Sequence, residues 1–446
     1  MLHACWKPGL QGGTVYVFVA PRLFAGLRPH HAQRPYHIVI GITHPQTCLT
    51  LTGRLLALRE AGFRVTLIAS PGELLERTAA REGVEAIGVP MRREIAPLAD
   101  LISLLRLWWV LTMLKPDIAE FSTPKAGLLG SMAAWLAGVS ARVYMLRGLK
   151  LETSQGMKRK ILLYAERVSA MCAHVVLCNS ESMRTEAVAL GIAPAEKLHV
   201  LGDGSSNGVN LERFAPGQSD VRSRFKLVEA APVIGFVGRL TKDKGVPELL
   251  EAFEMILKRC PHAQLLLVGW FDLAEDALGV EWRKRIANHP NIHCTGFVAE
   301  TAPYFRAMDV MVLPTWREGF PNVVLEAAAT GIPVITTECT GSRDSVVPEV
   351  TGLLIPPGYP EAISEAALKL LGDAGLRERM GAAARAWVCK HYADERVLRL
   401  AVAFYKSLLR PVAVNAGRDW SGAWPVIRER GASSAEAKAI GEVKIL

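Results

Sequence analysis

Short apolar runs alternate with amphipathic stretches along most of this chain, and the alternation runs through twice. "YHIVIGI" (36–42) is followed by "LTGRLLALREAG" (51–62), whose apolar residues recur at helical spacing. "FRVTLIAS" (63–70), "ELLERTAAREG" (73–83) and "VEAIGVP" (84–90) repeat the cycle, and "DIAEFST", "ARVYMLRG" and "HVVLCNS" continue it. A new set begins with "VIGFVGR" (233–239), the helical "GVPELLEAFEMILKRCP" and "AQLLLVG". It closes with "NIHCTGFV", "VMVLPT", "GIPVITT" and "TGLLIPP". Strands that are apolar throughout, separated by helices, form parallel sheets covered on both faces. The fold class predicted is α/β, with two doubly wound Rossmann-like domains and a cleft between them.

At 446 residues the chain exceeds one ordinary core, and half its residues are apolar, so several folded domains are expected. The boundaries expected are a poorly ordered lead-in over 1–35, a first domain over 36–215 and a second over 216–390. A helix over 391–410 is expected to return to the first domain, and an irregular tail to occupy 411–446. "GTVYVFVAP" near the N-terminus is too short to span a membrane, and no clear cleavage site follows it. No uncharged apolar stretch of about eighteen residues stands out, so no membrane-spanning helix is expected. The eight cysteines are scattered without a C-x-x-C, which fits small buried hydrophobes in a reducing cytoplasm better than zinc or disulfides. Walker A, G-x-S-x-G and H-E-x-x-H sequences are absent, as are a G-x-G-x-x-G after the first strand and a D-x-D pair.

Charge is unevenly spread. Before residue 216 there are 24 Lys and Arg against 16 Asp and Glu; from 216 onward there are 28 against 27. Almost the whole net charge of +9 therefore lies in the first half. Such an excess suits an anionic partner, or serves solubility alone. "LADLISLLRLWWVLTML" (98–114) is largely apolar around its circumference, with Trp108 and Trp109 adjacent and Arg92, Arg93 and Arg106 nearby. It reads either as a buried helix or as a face that touches lipid. "GMKRKILLYAERV" (156–168) places Lys158, Arg159 and Lys160 ahead of an apolar stripe and favours the lipid reading.

Two stretches of the second half carry chemistry. In "GFVGRLTKDKG", Arg239 follows a strand and Lys244 lies five residues on, where a doubly wound domain binds ligands. Two cations there suit a diphosphate, although "TKDK" is also ordinary surface sequence. In "EGFPNVVLE", Glu318 and Glu326 flank an uncharged turn, with a helix predicted from about Asn322 to Gly331. The turn offers backbone N–H groups at a helix N-terminus, and the carboxylates can accept from sugar hydroxyls. The competing reading is one Glu favouring the helix dipole and one on the helix surface.

Together "GFVGRLTKDKG", "LLLVG", "TGFV", "DVMVLPTWREGFPNVVLEAAATGIPVI" and "TGLLIPPG" resemble glycosyltransferase family 4, over about 36–408 and most sharply over 233–358. "STPKAGLLGSMAAWLAGV", "YMLRGLKLET", "LCNSESMR" and "GSSNGVNLERF" resemble its members in bacterial capsule, lipopolysaccharide or pilin-glycan assembly. The resemblance implies a GT-B fold and transfer, with retention, from a nucleotide sugar, with uridine the expected base and N-acetylhexosamine the sugar. It implies that Arg239 and Lys244 hold the donor diphosphate beside Gly238. Glu318 then lies by the donor sugar and Glu326 takes the ribose hydroxyls. Backbone amides of Gly319, Phe320 and Asn322 surround sugar and phosphate, and Phe297 and Val298 lie where the base is held, largely through backbone groups. No metal and no cofactor are expected, and no nucleic acid.

Two departures concern the first domain. The family's paired glycine is replaced by "GITHPQTCLTLTG", which leaves Thr43, His44 and Thr47 as contacts of uncertain partner. Where many members carry a His, this chain has Arg147, with Lys150 close by, as an acceptor-side pair suited to a diphosphate or serving structure. The expected acceptor is lipid-diphosphate-linked or a saccharide, met at an anionic membrane surface on the cytoplasmic side of the inner membrane. The alternatives are a nucleotide-sugar epimerase of the UDP-N-acetylglucosamine 2-epimerase type, a sugar phosphorylase, for which no cofactor lysine is evident, and a non-catalytic nucleotide-binding scaffold.

Overall fold

A computed structural model describes residues 34–92, 94–228, 230–272 and 277–409. The expected lead-in (but for its last two residues), the tail and Arg93 lie outside the described residues. The first half forms β1 (His37–Gly41), α1 (Arg54–Glu60), β2 (Arg64–Ala69), α2 (Glu73–Glu82), β3 (Glu85–Gly88), α3 (Pro97–Leu114) and β4 (Ile118–Ser122). Then come α4 (Pro124–Leu136), β5 (Ala141–Leu146), α5 (Gly156–Cys172), β6 (Val175–Cys178), α6 (Glu181–Ala189) and β7 (Leu198–Val200). Its seven strands make one parallel sheet in the order β3-β2-β1-β4-β5-β6-β7.

The second set is α7 (Val221–Arg224), β8 (Val233–Val237), α8 (Val246–Arg259), β9 (Gln264–Val268), α9 (Val280–Asn288), β10 (Ile292–Cys294) and α10 (Ala302–Phe305). It continues with β11 (Val310–Leu313), α11 (Asn322–Ala329), β12 (Val334–Thr337), β13 (Gly352–Ile355), α12 (Pro360–Gly372), α13 (Ala374–His391) and α14 (Asp394–Ser407). Six parallel strands follow the order β10-β9-β8-β11-β12-β13. The chain therefore has the expected architecture of two parallel α/β sheets. In each sheet the order reverses beside the first strand, so the carboxyl ends of β1/β4 and β8/β11 flank crevices suited to ligands.

Patterning explains the layers. β8 and β9 are buried along their whole length, and α8 turns Leu249, Leu250, Phe253 and Ile256 onto them. Each such side chain contributes about 1.5–3 kcal/mol when fully buried. α14 packs Ala401, Phe404 and Tyr405 into the core of the first sheet. Its Tyr405 hydroxyl bonds Glu120 on β4, and the fully buried Arg54 pairs with the same carboxylate at 2.8 Å.

Three expectations change. Leu198–Val200 is a short strand that the sequence pattern did not single out. Among the described cysteines only Cys48, Cys172 and Cys178 are buried, while Cys260, Cys294, Cys339 and Cys389 are half-buried. The stretch 98–114, left between core and lipid, is settled as a mostly exposed helix. α3 buries only Ser103, Leu107 and Leu111, and is long and apolar enough to cross a membrane, against the expectation of no such helix. Two charged residues, Asp100 and Arg106, interrupt its apolar run, which is why a search for an uncharged stretch passes over it.

Candidate active site

The end of β8 starts the site. Arg239 Nη1 donates to Asp272 Oδ2 at 2.8 Å, and its other arm lies 3.8 Å from Asp243. Burial disfavours the guanidinium charge, but the bond to Asp272 and the charges of Asp243, Asp272 and Glu318 hold its pKa above the ordinary value. Asp243 is held by Thr241 at 2.6 Å and Arg317 at 2.8 Å. Burial pushes against ionisation of Asp243, and the Thr241 bond with the Arg317, Lys244 and Arg239 charges overcomes it, lowering its pKa. Lys244 Nζ donates to Glu318 Oε1, and both side chains are largely buried. The structure thus brings Arg239, Lys244 and Glu318 into one ion-paired cluster, fastened by Trp316 N donating to Asp243 O at 2.9 Å.

The loop that carries Glu318 is pinned between the two sheets. A Cβ on Gly319 would meet Arg147 O at 1.8 Å, and one on Gly341, at φ 75°, would meet Gly319 O at 2.3 Å. Only glycine allows these backbones to approach so closely. The Phe320 side chain is buried against Tyr392, with ring centroids 5.3 Å apart. Asn322 opens α11 and accepts from Ser205 Oγ at 3.1 Å. One helical turn on, Glu326 makes no side-chain hydrogen bond among the described residues. Burial pushes its carboxyl up to about 7, Arg213 opposing and Glu300 adding to the rise.

At the ends of β9 and β10, Phe297 is 60% exposed and meets the edge of Trp270 at 5.4 Å. Val298 packs partly into the core, and Gly238 precedes Arg239 with φ 153°. Trp270 escaped the sequence reading because nothing in "LLLVGW" separates it from a strand-end packing residue.

The first-domain candidates diverge. The Thr43 hydroxyl accepts from Ala126 N at 2.9 Å and lies 2.6 Å from Thr123 Oγ1, so it caps α4. His44 Nδ1 accepts from Gln46 N at 3.3 Å at the head of a short turn, with Thr47 inside that turn. Arg147 turns its guanidinium inward: Nη1 donates to Ser206 Oγ at 3.0 Å, while Nε and Nη2 are buried without a hydrogen-bond partner. Burial, then the charge of Arg54, pushes its pKa down to about 10. Lys150 opens the next short helical turn, Lys150–Thr153, and is half-buried. That turn also meets the Glu318 loop, where Arg317 Nε donates to Thr153 Oγ1 at 3.0 Å.

Two parallel-sheet domains, with cations and carboxylates gathered at the carboxyl ends of the second sheet, define a nucleotide-sugar-type glycosyltransferase architecture. The family pattern described as "Glycosyl transferases group 1" matches residues 231–373, and "Glycosyl transferase 4-like domain" matches 55–204. The capsular polysaccharide biosynthesis glycosyltransferase CapM of Staphylococcus aureus is 34% identical over 379 residues, 85% of this chain and 98% of that one. An Escherichia coli UDP-Gal:alpha-D-GlcNAc-diphosphoundecaprenol alpha-1,3-galactosyltransferase is 29% identical over 66% of this chain and 76% of its own. The crystal structure of Anabaena HepE with UDP and glucose shares the fold, with TM-score 0.67 and 19% identity over 83% of this chain and 99% of that one. The chain belongs to the group 1, family 4-like glycosyltransferases and is a hexosyltransferase.

Proposed function

We propose that this enzyme moves a sugar, with retention, from a UDP-linked donor to a lipid-diphosphate-linked or saccharide acceptor, at the cytoplasmic face of the inner membrane, in bacterial surface-glycan assembly. The observation that carries the lipid-linked reading is the face formed by α3, α4 and α5. Leu98 is 81% exposed, Trp109 51%, Trp135 57% and Tyr164 70%. Arg92, Arg159 and Lys160 are exposed on the same domain, and Lys158 and Arg106 are half-buried there. Apolar and aromatic side chains beside cations suit the headgroup region of an anionic leaflet. With only Ser103, Leu107 and Leu111 of α3 buried, the helix is read as lying in the membrane plane against its sheet. The name of the E. coli relative, with its diphosphoundecaprenol substrate, supports the lipid-linked acceptor, and that of the S. aureus relative supports a role in capsular polysaccharide synthesis.

The chemistry follows from the ion-paired cluster. Arg239 and Lys244 release Asp272 and Glu318 in favour of the donor diphosphate, and Glu326 accepts from the ribose hydroxyls. As the bond from C1 to the leaving phosphate breaks, negative charge grows on that phosphate and is met by the two cations and the N-terminus of α11. The acceptor oxygen bonds C1 from the same face, and its proton passes to a phosphate oxygen. Phe297 and Trp270 flank the base. A panel of nucleotide sugars incubated with membrane lipid extracts, read by nucleoside diphosphate release and product mass together, tests the assignment. Release coupled to a heavier lipid supports it; interconversion of free donor without a heavier lipid overturns it.

A further inference from the structure

Glu152 lies in the turn Lys150–Thr153, which follows β5 in the first domain, and neither the charge pattern nor the family resemblance pointed to it. Burial raises the pKa of its carboxyl, and the Thr340 hydroxyl of the second domain lies close enough to oppose that rise. Its Oε2 is buried and has no hydrogen-bond partner among the described residues. A buried carboxylate oxygen left in this state is costly, and such groups concentrate where a ligand completes them. The place is specific. Thr340 O accepts from Glu318 N at 3.3 Å, and the same residue's side chain lies near Glu152, so Glu152 stands close to the donor-sugar glutamate. Cys339 lies within electrostatic reach of both carboxylates. Arg317, next to Glu318, donates to Thr153, next to Glu152. Arg317 and Arg343 face Glu152 with positive charge and Glu186 with negative charge, yet no cation forms a salt bridge with it among the described residues.

We propose that Glu152 is the first-domain residue that accepts a hydrogen bond from a hydroxyl of the incoming acceptor sugar and orients it toward the donor carbon held beside Glu318. This rests on the glycosyl-transfer reading above. Oε2 belongs to the domain opposite the donor-binding cations, at the seam between the two sheets, where an acceptor must enter. A hydroxyl supplies the missing donor without placing a second charge beside Glu318. Orientation of the nucleophile is a large share of what such a site can add, because little other covalent work falls to the protein.

The test separates acceptor positioning from a strut between domains. Glu152→Gln keeps the shape of the side chain but replaces one accepting oxygen of the carboxylate by an NH2. It is expected to lower kcat/KM for the lipid-linked acceptor by about tenfold or more. UDP affinity by calorimetry, and the slow release of UDP from donor to water without acceptor, are expected to stay within about twofold. Thr340→Val removes the hydroxyl near Glu152 and leaves the carboxylate, and is expected to keep acceptor kcat/KM within about threefold. Unchanged transfer in Glu152→Gln overturns the proposal. So do parallel losses of transfer, water-dependent release and UDP affinity, and so does a Thr340→Val defect equal to that of Glu152→Gln. A wild-type protein inactive on every lipid-linked acceptor defeats the functional reading itself, an outcome distinct from an active wild type indifferent to Glu152→Gln.

Discussion

Glu326 is the residue whose physical state is most informative. Its carboxyl is pushed up to about 7 by burial, so near neutral pH the free enzyme holds it partly protonated. In the proposed ribose role only the ionised form accepts from both hydroxyls, so UDP affinity is expected to rise with pH through about 7. Glu326→Gln should flatten that limb in a calorimetric titration across pH; a limb of equal slope assigns the ionisation elsewhere. Glu326→Ala should raise the donor KM more than it lowers kcat, at a cost of roughly 2–4 kcal/mol. Unchanged donor dependence in a folded variant removes Glu326 from the ribose. Arg239 gives a second test. With the diphosphate carried by Arg239 and Lys244, EDTA should leave most activity and Arg239→Ala little. Activity recovered only with added Mn²⁺ or Mg²⁺ would place a metal in the site.

At the scale of elements, the sequence pattern placed almost every strand, because β1, β8, β9 and β11 are apolar runs bounded by turn residues. It missed β7, a short strand. It also left α3 open. A helix apolar on all sides looks the same in sequence whether protein or lipid covers it, and only the fold reveals that Leu107 and Leu111 face inward while Leu98 and Trp109 do not. Glu318 and Arg239 stood out because spacing and strand ends mark them. Glu152 did not, because its neighbour Thr340 is 188 positions away. The exposed face predicts binding to anionic liposomes at low salt and release at high salt, each basic residue near the surface adding about 1 kcal/mol. Replacing Lys158, Arg159 and Lys160 by Glu should weaken vesicle binding and slow transfer to a lipid-linked acceptor, with donor affinity nearly unchanged. Equal binding to neutral and anionic vesicles would leave the basic half without this role.

Across the whole molecule, the site exists only where the two sheets meet. Gly319 touches Arg147, Asn322 bonds Ser205, and Gly341 N donates to Ser182 Oγ at 2.8 Å. Gly319→Ala would drive a methyl into Arg147 O, and so should separate the loops and depress turnover by about tenfold or more, while each sheet keeps its own core. A melting temperature near wild type with unimpaired turnover would show that this contact is dispensable. The central claim, that cations and carboxylates of the second sheet hold a nucleotide sugar while the first sheet presents a lipid-linked acceptor, is tested most directly by following a radiolabelled sugar. Labelled UDP-sugar is incubated with a lipid-diphosphate-linked acceptor, and the label is counted in the organic phase for the wild type, Arg239→Ala and Glu318→Ala. The account predicts label entering the lipid with the wild type and falling about a hundredfold or more in both variants. Label that stays in the aqueous nucleotide pool, or enters the lipid equally well in the variants, would contradict it.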